Sequence, residues 1–88
     1  MQQLSQEFEK SVHYVKNSKQ GKKLSNQIKL KMYALYKQAT QGDVSGEKPA
    51  MFDMVALAKY TAWEKLQGIS TNAAMQDYIS EVTVLENP

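Results

Sequence analysis

The sequence predicts an all-α fold, a bundle of four helices, on three observations. Four segments space their apolar residues three and four apart. Ser, Asn, Asp or Gly stands at the ends of these segments, where helices start and stop. No stretch shows the strict alternation that a half-buried strand requires. Each apolar stripe must be buried against its neighbours, and in one short chain that implies a bundle.

In the first segment Leu4, Phe8, Val12 and Val15 share one stripe. It fades near Asn17 to Gly21, and Lys19, Lys22 and Lys23 read as a solvated turn. The second helix starts at Ser25 or Asn26, either of which can cap it, runs to about Thr40, and ends at Gly42. Residues 42–49 form a loop, because Gly, Asp, Ser and Pro each oppose regular structure there. The third helix runs from Met51 or Asp53 to Gln67, with Gly68 as terminator. Ser70 or Thr71 opens the fourth, whose stripe is Met75, Tyr78, Ile79, Val82 and Leu85.

The chain of 88 residues reads as a single domain over residues 1–88. At this length a protein buries roughly 60–65% of its unfolded surface, enough for one modest core. Apolar residues make up 42% and charged residues 23%, as in ordinary globular proteins. The net charge of +2 is too balanced for a phosphate-tracking nucleic-acid binder, so any bound anion must be gripped by a few placed lysines. Cysteine is absent, which excludes disulfides, thiolate metal sites and cysteine nucleophiles. The N-terminus has neither the basic start nor the apolar stretch of a signal peptide. The longest apolar run, Met54 to Ala58, is far short of the roughly 18–20 residues needed to span a bilayer. A cytoplasmic, monomeric protein without stable membrane insertion is the expectation.

The second helix carries more than a core stripe. At about 100° per residue, Ile28, Met32, Leu35 and Ala39 fall within roughly 40° of one another. Leu30, Tyr33 and Lys37 gather on another side, at about 140–200°, with Tyr36 between the two groups. This second face either meets another helix, lies exposed, or offers a ligand an apolar and aromatic surface with a cationic rim. A lysine beside tyrosine hydroxyls suits a phosphate. On the third helix Lys59 falls within the stripe of Val55, Ala62, Trp63 and Leu66. Either it stretches its methylenes over the core with its head in water, or it emerges beside a bound anion.

Other residues read more simply. Trp63 belongs to the core, while Met32, Met54 and Met75 fill irregular packing. His13 is the only histidine, so a multi-histidine metal site is excluded. No nucleophile–base constellation can be assembled, so no catalytic residue, metal ligand or cofactor is expected.

The run Leu30-Lys31-Met32-Tyr33-Ala34-Leu35-Tyr36-Lys37-Gln38-Ala39-Thr40, followed by Gly42-Asp43, resembles the acyl-CoA-binding protein family. That family's signature is a Tyr-x-x-Tyr-Lys-Gln-Ala-Thr-x-Gly-Asp run. The similarity continues through Pro49, Met51, Asp53, Ala58-Lys59, Ala62-Trp63, Leu66 and Gly68 to Ala74-Met75 and Tyr78-Ile79.

The resemblance implies an up-down-down-up bundle with a fatty acyl-CoA in a surface bowl, and binding without chemistry. Tyr33, Lys37 and Lys59 match the group that holds the 3′-phosphate. Ala34, Leu35 and Tyr36 match the nucleotide site, Lys16 a further basic position, and Tyr78 the last helix's ligand-contacting aromatic. Phe8, Ser11, Val12 and Leu30 match the acyl groove. The implied role is buffering and intracellular transport of medium- and long-chain acyl-CoA. Some positions depart from the family pattern: Leu57 stands where a lysine is common, Tyr60 where a tryptophan is, and Ala50 where glycine is usual. From another class, the same second-helix face would serve a protein-interaction module that holds an amphipathic partner helix.

Overall fold

Side-chain caps set where the helices begin. In the computed structural model, which describes residues 2–87 (Gln2 by its backbone only), the elements are α1 (Gln2–Asn17), α2 (Lys19–Lys22), α3 (Asn26–Gln41), α4 (Met54–Glu64) and α5 (Thr71–Glu86). Met1 and Pro88 lie outside the described residues. The hydroxyls of Ser25 and Ser70 accept from the amides of Ile28 and Ala73 at 3.2 and 3.0 Å, and Asp53 accepts from Ala56 at 3.4 Å. Each satisfies an otherwise orphaned amide of the first turn. Gly42 ends α3 with φ 81°, a conformation that side chains disfavour.

Two boundaries differ from the sequence expectation. The turn after α1 coils into a one-turn helix, α2, because Ser18 caps it through Gly21 at 2.9 Å. Gly21 is buried, and a Cβ there would meet the Val15 carbonyl oxygen at 1.9 Å, so only glycine allows this close return. The third predicted helix stops at Glu64 rather than Gln67. Its last residues tighten into three-residue hydrogen bonds, Leu66 to Trp63 and Gln67 to Glu64 at 3.0 and 3.1 Å.

The topology is up-down-down-up. Lys31 of α3 pairs with Glu81 of α5, and Gln38 near the end of α3 donates to the Ile69 carbonyl just before α5, so these two helices are antiparallel. α3 and α4 run parallel, their C-terminal ends joined through Asp43 and Gly68. Parallel neighbours need a connection that returns along the full helix, about 24 Å for a helix the length of α3. Residues 42–53 can reach about 40 Å.

The core centres on Phe8, Met32, Leu35, Ala39, Ala74, Tyr78 and Val82. Phe8 meets Tyr78 edge-on at 5.2 Å and lies over Tyr36 at 6.1 Å. Such aromatic pairs add about 0.5–1.5 kcal/mol each beyond the area they bury. Trp63 is buried, as its place in the stripe predicts.

Three expectations about burial are corrected, and one buried residue went unmarked. Ile28, placed in the core stripe, is exposed, as is the whole first turn of α3, residues 26–29. Val55 and Met54 are 68% and 76% exposed, since among the described helices α4 packs against α3 alone. Gln38, which no apolar pattern marks, is wholly buried. The buried face of α3 is wide because α4 and α5 both pack on it, and that width takes in Ala34 and Gln38.

Gln38 works as a clasp. Its amide donates to Asp43 at 2.9 Å and to the Ile69 carbonyl at 2.7 Å, while Asp43 also accepts from the Gly68 amide at 2.8 Å. Trp63 donates its indole N–H to the Gly42 carbonyl at 2.8 Å. The loop after α3 is thereby tied to the turn between α4 and α5. No helix among the described residues is long and apolar enough to cross a membrane.

Candidate functional site

Grooves form in this bundle where two helices flank a third without touching each other. α1 and α3 both lie against α5 in the core, yet their backbones stay apart. The trough between them, about 360 Å³, is lined by Val12, Lys16, Met32, Tyr33, Tyr36 and Tyr78 among others. α4 and α5 both pack on α3 and not on each other, which opens a wide groove of about 960 Å³. Between the N-terminal halves of α3 and α4 lies a narrow groove of about 370 Å³, lined by Lys29, Leu30, Tyr33, Val55, Ala58 and Lys59 among others.

Tyr33 is the junction. It lines both the α1–α3 trough and the narrow groove. The Lys59 ammonium of α4 stands 5.3 Å from the centre of its ring. Lys59 is exposed, so its head meets both water and this aromatic face, and its place in the apolar stripe leaves no buried charge. Lys37, one turn beyond Tyr33, lays its ammonium 4.8 Å from the Trp63 ring centre and lines none of these three grooves. Cations held on ring faces keep most of their charge available to an incoming anion.

The α1–α3 trough brings Lys16, Tyr33, Tyr36 and Tyr78 together. Burial first, and the neighbouring Tyr36 second, push the Tyr78 hydroxyl from its ordinary 10.0 up to about 12. At neutral pH it is a protonated donor. Of the residues matched to an acyl groove, Val12 lines this trough and Leu30 the other two grooves, whereas Phe8 and Ser11 are buried. Ala34 and Leu35 are buried in the floor of the wide groove.

One cation escaped the sequence reading. Lys29 lines both the trough and the narrow groove beside Tyr33. The signal was available: Lys29, Tyr33 and Lys37 recur every four residues and so share one helix face.

The sequence model of the family described as Acyl CoA binding protein matches residues 5–82. An acyl-CoA-binding protein of Ricinus communis is 43% identical over 82 residues, covering 93% of this chain and 89% of that protein. Enoyl-CoA delta isomerase 2 of Homo sapiens is 42% identical over 85 residues, but the chain spans only 21% of its length, against 97% of this one. The crystal structure of Oryza sativa Acyl-CoA-Binding Protein 2 superposes with a TM-score of 0.89 at 38% identity, covering 97% of this chain and 90% of that one. Fold, full-length relatives and family match agree: the chain belongs to the acyl-CoA-binding protein family.

Proposed function

We propose that this protein binds medium- and long-chain acyl-CoA esters reversibly and without covalent chemistry, as a buffer and carrier in the cytoplasm. The observation that carries this reading is Tyr33, which joins a trough of phenols and lysine to an apolar groove with a cation at its rim. A ligand with a phosphorylated head and a greasy tail needs those two surfaces side by side.

In this reading Tyr33, Lys37 and Lys59 hold the 3′-phosphate of the ribose. Lys16, Tyr36 and Tyr78 face the rest of the head, and Lys29 adds a further cation. Leu30 and Ala58 take the first part of the acyl chain. A hydrogen bond to a charged partner contributes about 1.5–3 kcal/mol, and each buried methylene about 0.8 kcal/mol. The head thus selects CoA thioesters and the tail favours acylated over free CoA. The protein acts as a monomer and leaves the thioester intact.

Titration calorimetry with palmitoyl-CoA, free CoA and palmitate tests the proposal. Saturable one-to-one binding of palmitoyl-CoA, far tighter than either fragment, is the expected result. No saturable heat with palmitoyl-CoA overturns it.

A further inference from the structure

Charge is divided unevenly along this chain. Between Glu9 and Asp43 stand eight of its 11 lysines and no acidic residue, so the modest net charge of +2 hides a strongly basic segment. The fold gathers the middle of that segment at one end of the bundle. α2 leads directly into α3, α4 runs parallel to α3, and α5 runs antiparallel to it. The starts of α3 and α4 and the end of α5 therefore lie beside α2. Lys29 marks the junction: it lines the trough with Lys16 and Gly21, and the narrow groove with Met54 and Val55.

The same end exposes apolar side chains that no helix covers. Phe52 is 90% and Met51 87% exposed, and Met54 and Val55 continue the patch. Met51 and Phe52 project from a turn closed by the Asp53 amide, which donates to the Ala50 carbonyl at 3.0 Å. A run of bare apolar residues of this size marks a contact surface. We propose that this end of the bundle docks peripherally on an anionic lipid surface, with Met51 and Phe52 entering the interface and Lys19, Lys22 and Lys23 meeting acidic headgroups.

Charge chooses the occupant. The three lysines are exposed, and among the described residues none has an acidic partner. Of the acids on this side, Asp53 turns back to cap α4 and Glu81 pairs with Lys31, which leaves Glu86 at the tip of α5. Apolar residues flanked by several lysines are the composition of an interfacial anchor, where insertion and headgroup attraction add. A nucleic acid has no use for Met51 and Phe52, and an apolar protein partner has none for the lysines. Two inserted side chains and three charges give reversible docking, so the protein returns to water between encounters. The narrow groove opens at this end, yet the docking itself needs no ligand.

Flotation tests it, using ligand-free protein with vesicles of phosphatidylcholine alone or mixed with phosphatidylserine. Wild type should float with the mixed vesicles at low salt, stay behind with phosphatidylcholine alone, and be released as salt rises. Lys22→Ala combined with Lys23→Ala, and separately Phe52→Ser, should each weaken partitioning roughly 10-fold or more. None of these residues lines the three grooves, so both variants should bind palmitoyl-CoA in solution within about twofold of wild type. No flotation of the wild type with mixed vesicles overturns the docking and leaves acyl-CoA binding standing. Equal flotation on both vesicle types overturns the role of the lysines, and with it the proposal. Flotation unchanged by Phe52→Ser reduces the contact to charge alone, which overturns it too.

Discussion

Lys59 and Tyr33 meet across the gap between α4 and α3, ammonium to ring centre at 5.3 Å. An exposed contact of this type contributes about 0.5–1 kcal/mol. It holds the lysine at the mouth of the narrow groove before any anion arrives, which lowers the ordering cost of gripping one.

Removing that cation should weaken the ligand's head specifically. Lys59→Ala and Lys37→Ala are each expected to cost about 1–3 kcal/mol in palmitoyl-CoA binding, or 5- to 150-fold. Against palmitoyl-dephospho-CoA the same substitutions should change little. Calorimetry with both ligands decides it: an equal loss on each would remove the phosphate from the assignment.

Gly21 should tolerate no side chain. Gly21→Ala drives a methyl toward the Val15 carbonyl oxygen, where backbone must move, and overpacking of this kind costs about 1–3 kcal/mol. Gln20→Ala, an exposed neighbour, should stay within about 0.5 kcal/mol. Urea denaturation of the three proteins compares them directly.

Asp43 gives the clasp an acid limit. The Gly68 amide first, and the Gln38 amide second, hold its carboxyl below the ordinary 3.8. The folded protein therefore binds fewer protons here than the unfolded chain. This contribution is complete above about pH 5 and declines as pH falls through the folded value. Asp43→Asn keeps an acceptor without the charge, so its stability should vary less with pH across that acid range. Denaturation midpoints between pH 6 and 2.5 check this; parallel curves for the two proteins count against it.

Tyr78 works at the alkaline end with the opposite sign. Its folded value of about 12 lies above the ordinary 10.0, so the neutral phenol is preferred in the fold. Stability is full below pH 10.0 and falls as pH rises from there toward 12. Tyr78→Phe should flatten that decline, and spectrophotometric titration should show one tyrosine fewer ionising late. Tyr36→Phe should bring the Tyr78 transition to lower pH, because the second of its two causes is gone.

The helix starts were legible because Ser25, Asp53 and Ser70 cap through short, local hydrogen bonds that need no tertiary context. The extra face of α3 was equally legible, since Tyr33 and Lys37 stand where a packing helix needs neither. Gln38 was not. A polar residue outside the apolar stripe reads as surface, and only its partners Asp43 and Ile69, in the turns that follow α3 and precede α5, explain why it is buried. Ile28 and Val55 went the other way. Periodicity tells which side of a helix faces inward, but not how far along its length a neighbour reaches. The wide groove lay beyond sequence reasoning for the same reason, because it depends on α4 and α5 failing to meet.

The clasp has a consequence for how kinship is judged. Along the run from Tyr33 to Asp43, the positions assigned to cargo interleave with Gln38, Ala39, Gly42 and Asp43, which hold the scaffold shut. A descendant that had abandoned its cargo would still have to keep those four to fold. Resemblance across this stretch therefore measures inherited architecture at least as much as retained occupation, and only the tyrosines and lysines between the scaffold positions report on the latter.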